Sequence, residues 1–161
     1  MTDLGARAGE REMLEGFLDW YRTVVTRKVE GMPLELATRV MTPSGLSALG
    51  VVAHLEAVEV GWFGETFAGE EVDPEWEHHG SFRFREGDTV GSVLAEYANA
   101  CDRSRRIAAG APSLDTLSVE SEEYRGHVSL RWLMVHMIEE TARHAGHLDL
   151  MSEQLDGRTG D

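Results

Sequence analysis

Apolar residues return at three- and four-residue steps in four separate stretches of the chain, the spacing that gathers them on one face of an α-helix. The first stretch runs from about Glu10 to Val29, with Met13, Leu14, Phe17, Leu18, Tyr21, Val24 and Val25 as its stripe. Gly31, Met32 and Pro33 end it, and Leu34 to Val40 has room for a short extra turn. Thr42-Pro43 opens a second helix, with Ser44 or Ser47 as an alternative cap. Its inward positions are Leu46, Leu49, Val52, Ala53, Leu55, Val58, Trp62 and Phe63, and it continues to about Phe67.

From Gly69 to Gly87 the periodicity stops, and Pro74, Gly80 and scattered charges read as a long loop with a short strand-like piece at Ser81 to Arg85. Thr89 caps a third helix whose stripe is Val90, Val93, Leu94, Tyr97, Ala98, Cys101 and Ile107, ending near Gly110 and Pro112. A polar connector from Ser113 to His127 is placed to fold over the bundle end. Ser129 then caps the last helix, which Leu130, Leu133, Met134, Met137, Ile138, Ala142, Leu148 and Met151 carry to about Leu155 before Gly157. Four helices with two long connectors predict one all-α domain over residues 1–161, a four-helix bundle.

Composition narrows the function. The chain has 161 residues, enough for one core without disulfide staples. Its single cysteine, Cys101, excludes an internal disulfide and removes thiolate clusters from the candidate metal sites. A formal net charge of -14 opposes binding to a nucleic-acid backbone, which requires clustered Lys and Arg. No stretch has the length and apolarity of a membrane span, and Met1 to Glu10 lacks the basic start and apolar run of a signal peptide, so the expected residence is the cytoplasm.

Candidate chemistry concentrates in the last helix. At 100° per residue His136, Glu140, His144 and His147 fall within an arc of roughly 80°, beside the apolar positions Leu133, Met137 and Ala142. Polar groups on an inward face require partners, and a metal ion is one way of supplying them. Glu140 and His144 lie one turn apart, where two side chains converge on one ion. His54, between Ala53 and Leu55 in the middle of the second helix, is the candidate for a third ligand from a facing element. Two imidazoles and a carboxylate suit Zn²⁺, with Ni²⁺ or Fe²⁺ as alternatives, and leave positions open for water or substrate.

Spacing alone leaves a second reading open, in which these are hydrogen-bonded core histidines. It assigns His136 to packing or to supporting a ligand, and His147 to either a ligand-supporting or a substrate-facing role. His78, His79 and His127 fall in loops, where solvent exposure is the expectation. Glu75 and His78 have a di-iron spacing, but without helical periodicity or a second copy a dimetal centre has no support, and the H-E-x-x-H protease signature is absent. Cys101 reads as a small core residue, and Arg103, Arg105 and Arg106 as a solvated face.

The run Ala53-His54-Leu55 followed by Gly61-Trp62-Phe63, together with the closing segment from Met134 to Asp149, resembles the DinB/YfiT-like superfamily over nearly the whole chain. Within it the chain is most similar to the actinobacterial DinB-like branch and, more distantly, to mycothiol-dependent maleylpyruvate isomerase. The resemblance implies a four-helix bundle, a homodimer, and one divalent metal held by His54, Glu140 and His144, with Glu140 where many relatives carry histidine. His147 stands where many relatives carry glutamine. The activity implied is a metal-dependent S-transferase or isomerase that joins a low-molecular-weight thiol such as mycothiol to a small electrophile; beside the ion, His147 or an arginine is the candidate catalytic group to stabilise developing negative charge. A metal-dependent hydrolase and a non-enzymatic, stress-associated metal- or ligand-binding bundle are the competing expectations.

Overall fold

Hydroxyl side chains start three of the long helices. Ser47 accepts from the Gly50 amide, Ser129 accepts from the Trp132 amide, and Thr89 and Ser92 cap each other reciprocally, so each satisfies an amide that the first turn leaves without a partner. The computed structural model describes residues 8–71, 82–119 and 126–159. Along them lie α1 (Glu10–Val29), a single-turn α2 (Leu34–Ala37), α3 (Ala48–Glu59), α4 (Val90–Gly110) and α5 (Leu130–Leu155). Beyond Glu59, α3 runs on as a π-helical stretch over Val60–Phe67, and the two together span the second predicted helix.

The fold is therefore the expected all-α bundle, with two local corrections. The second helix begins at Ser47, the alternative cap, rather than at Thr42-Pro43: the Thr42 hydroxyl instead accepts from the Leu46 amide and closes a turn ahead of the helix. The strand-like reading of 81–85 also fails, because no strand forms among the described residues and Phe82 has a left-handed φ of 59°. Glu75, His78 and His79 lie outside the described residues. The described halves of the second connector do cross the bundle end. Ser118 donates to the Val128 carbonyl, Leu130 to that of Thr116, and Val119 to that of Phe67.

Around the bundle α1 packs along α5, α3 along α4, and α3 also against α5, while α1 and α4 close the ring loosely. The core divides into two clusters. One gathers Val25 and Val29 with Leu49, Val52, Leu55, Tyr97, Cys101 and Leu148; the other gathers Leu18, Phe63, Leu130, Leu133 and Met137. Between them, on the inward stripe of α1, Arg22 turns into the protein and meets Glu59 of α3 in a two-pronged pair at 2.7 and 2.6 Å, with a further bond to Asp19 at 2.8 Å. Arg22 is 5% exposed and Glu59 1%. Removing one member strands the other as a buried charge, so Glu59→Leu is expected to cost about 3–5 kcal/mol in urea unfolding. The double variant Arg22→Met/Glu59→Leu should recover much of that loss.

Cys101 sits in the core as expected, and burial, followed by the nearby Glu59 carboxylate, pushes its thiol up to about 12. Protonated at pH 8 and out of solvent, it should resist iodoacetamide in the native protein and react fully in urea; rapid native alkylation would contradict this placement.

Candidate metal centre

Facing positions on α3 and α5 bring the predicted residues together. His54 Nε2 lies 3.2 Å from Glu140 Oε1, and His144 Nε2 lies 3.1 Å from the same oxygen. The donor atoms of all three residues fall within 4.8 Å of one another. His144 is buried, and His54 and Glu140 are partly buried. Bonds of about 2.0–2.1 Å in a tetrahedral site separate neighbouring ligand atoms by roughly 3.3 Å. Both contacts to Glu140 come close to that edge length, so the three residues could hold a divalent ion once the two imidazole nitrogens draw together around it.

The carboxylate is held ready in its charged form. Hydrogen bonding from His144, then from His54, pulls the Glu140 carboxyl far below the usual carboxylate range against the opposing effect of burial. Arg143, on the next face of α5, places Nη1 3.6 Å from Glu140 Oε2.

His147 contacts one of the three clustered residues rather than standing apart from them. Its Nδ1 is 3.3 Å from His144 Nδ1. One ring must donate to the other, and the direction depends on what His144 Nε2 does. With Nε2 protonated toward Glu140, Nδ1 of His144 accepts. With Nε2 given to an ion, Nδ1 carries the proton and donates to His147, the outer hydrogen bond typical of metal-bound imidazoles. Burial, then the neighbouring His144 and Arg143, lowers the His147 pKa and favours the neutral acceptor form that this second arrangement needs.

His136 is not part of the cluster. It stacks on Trp132 with ring centroids 5.2 Å apart and packs at a tilt on Trp62 at 4.3 Å, the packing alternative of the two. His127 is exposed but bonded through Nδ1 to the Ser118 carbonyl at 2.7 Å, where it ties the second connector together.

Two contributors escape the reading of helical stripes. Phe82 stacks on His54 with centroids 4.1 Å apart and lies tilted against His144 at 5.4 Å, covering one side of the cluster. Its approach depends on Gly50, where a Cβ would stand 2.4 Å from the Phe82 carbonyl oxygen. A glycine one turn before a candidate ligand was the available signal. Gly50→Ala should destabilise the protein by about 1–3 kcal/mol despite alanine's better helix propensity. Gly16→Ala, in open space on α1, should instead stabilise it by about 0.5–1 kcal/mol. Denaturant titration of both variants tests the contrast, and equal shifts would remove the Phe82 contact as a constraint.

Comparison with known proteins gives the chain its family. No curated protein matches the chain. The family model described as mycothiol-S-transferase matches residues 13–157, which takes in α1 through α5 and the three clustered side chains. The chain belongs to the mycothiol-S-transferase family, a DinB-like family.

Proposed function

We propose that this protein is a divalent-metal-dependent S-transferase that joins a mycothiol-type thiol to a small electrophile, with His54, Glu140 and His144 as the ligands of one ion, zinc by donor type. The observation that carries the reading is the shared Glu140 oxygen, placed at ligand-edge distances from two imidazole nitrogens on two helices. An ion bound there supplies Lewis acidity that lowers the pKa of a coordinated thiol from about 8.5 and keeps thiolate populated at neutral pH.

The chain's own groups do the rest. Phe82 shields the His54 ring from water on one side. The Nδ1 of His147 fixes the His144 tautomer, which leaves its other ring nitrogen to stabilise charge developing on the electrophile. In the transfer the thiolate sulfur forms a C–S bond to the electrophilic carbon, the leaving group departs with its electron pair, and the thiol proton passes to solvent. A thiol-dependent reaction and a lone reduced cysteine both suit the reducing cytoplasm. Among the described residues no helix is long and apolar enough to cross a membrane.

The outer face of α5 supports a homodimer. Trp132, Val135 and Leu150 are exposed at 44%, 53% and 62% along one side, with the paired Glu139 and Arg143 between them. An antiparallel second copy, related by a two-fold axis near the level of residue 141, would lay each glutamate against the other's arginine and Trp132 near the partner's Leu150.

Elemental analysis should find one divalent ion per chain, lost on dialysis from His54→Ala and His144→Ala. Consumption of mycothiol with a fluorogenic bimane electrophile should fall to background in both. His147→Ala should keep the fold but lose about 10- to 100-fold in metal affinity or turnover. Equal metal content in His54→Ala and the unaltered protein would overturn the ligand assignment, and loaded protein that leaves the thiol unconsumed would overturn the transferase reading. Val135→Arg should shift the protein to monomer in size-exclusion chromatography.

A further inference from the structure

Two of the three clustered side chains are held by groups on their own helix. His144 is buried and touches His147, and Glu140 has Arg143 beside it. His54 is held differently. Its ring turns about the Cβ–Cγ bond, a torsion with broad minima, and the 3.2 Å contact of Nε2 with Glu140 fixes one atom of the ring rather than its plane. Phe82 sets the plane. It lies face-on to the imidazole, with ring centroids 4.1 Å apart and the rings 21° from parallel, and it meets His144 at a tilt.

Placing the ring there is locally unfavourable. Phe82 has a φ of 59°, the single positive value at a non-glycine residue among the described residues. A bulky side chain avoids that left-handed region, and glycine enters it freely. A residue held in this way persists where its surroundings over-determine it, and strain of this kind gathers at functional sites. Three ties hold this segment. The Phe82 carbonyl sits against Gly50, where no Cβ intervenes. Phe84 packs against the core cluster of Val25, Leu49 and Tyr97. The Arg85 amide donates to the Asp88 carboxylate at 2.6 Å, and its guanidinium reaches Glu96 of α4 at 3.4 Å. Phe82 itself stays partly exposed, so burial of its own surface gains less than a core position would. What the strained backbone achieves is a ring laid on a candidate ligand.

We infer that Phe82 is a positioning residue of the metal centre: its ring locks the His54 imidazole in the rotation that aims Nε2 at the ion. A ligand held in advance loses less freedom when the ion binds, so the stacked ring raises metal affinity without touching the metal. The inference rests on the ligand assignment proposed above.

Zinc affinity of the full chain, measured by competition with a chromophoric chelator, and thermal unfolding of the metal-free protein test it together. Phe82→Ala and Phe82→Gly both lose the ring, and each should bind Zn²⁺ about tenfold more weakly. Glycine is unstrained at this φ, so Phe82→Gly should unfold at a higher temperature than Phe82→Ala. If the ring served packing alone, affinity would follow stability and the glycine variant would regain part of the loss. Phe82→Tyr keeps the stacked ring and should bind as the unaltered chain does. Affinity in Phe82→Gly above that of Phe82→Ala overturns the inference, as does a loss in Phe82→Tyr as large as that in Phe82→Ala. His54→Ala separates the two levels: zinc bound there as tightly as by the unaltered chain sinks the ligand assignment and this inference with it. Zinc lost from His54→Ala but kept by Phe82→Gly sinks the role of Phe82 alone.

Discussion

A carboxylate turned in from solvent must be given partners, and this bundle meets that demand twice, for the buried Glu59 and the partly buried Glu140. Glu59 takes the guanidinium of Arg22, and Glu140 takes the imidazoles of His54 and His144. Helix α3 serves both. His54 and Glu59 are five residues apart, about 140° around the helix, so one face of α3 supplies the candidate metal centre while the other anchors α1. The Arg22–Glu59 pair thereby sets the rotation of α3 about its axis, and with it the direction in which His54 points.

The two pairings do different work. Arginine and glutamate meet in a two-pronged pair, with Asp19 as a further partner of the guanidinium, which suits a structural tie held out of solvent. The Glu140 oxygen lies between two nitrogens whose protons can be given up, so the same contacts that hold the site together without an ion can be exchanged for bonds to one. The carboxylate is ionised, because hydrogen bonds from the two imidazoles stabilise its charge.

Much of this was legible in the chain. The period of the apolar residues marked α1, α4 and α5 nearly to their ends, because those helices have one buried stripe each and a hydroxyl or glycine at a boundary. His144 and Glu140 could be paired because a helix fixes residues four apart on one face. What stayed hidden depends on contacts between elements distant in sequence. The π-helical turn of Val60–Phe67 adds no change to the apolar pattern that a periodicity would register, so it merged with α3. Arg22 reads as an ordinary polar interruption until Glu59 is seen facing it. Phe82 lies in a segment with no periodicity, and only its left-handed backbone and the bare surface of Gly50 let its ring settle on His54.

The identity of the middle ligand has an electrostatic consequence under the proposed reading. A carboxylate at position 140 contributes one negative charge where a histidine would contribute none, so the set His54, Glu140 and His144 offsets half the charge of a divalent ion. A thiolate entering such a site meets a weaker field than three imidazoles would leave, and its pKa is lowered less. Nucleophilicity falls as a thiol's pKa falls, with a Brønsted slope of about 0.4–0.5. A site with Glu140 therefore gives a thiolate that is less abundant at low pH but more reactive once formed. That balance favours sluggish electrophiles at neutral pH, and it makes Glu140, rather than either histidine, the residue through which the reactivity of the bound thiol is set.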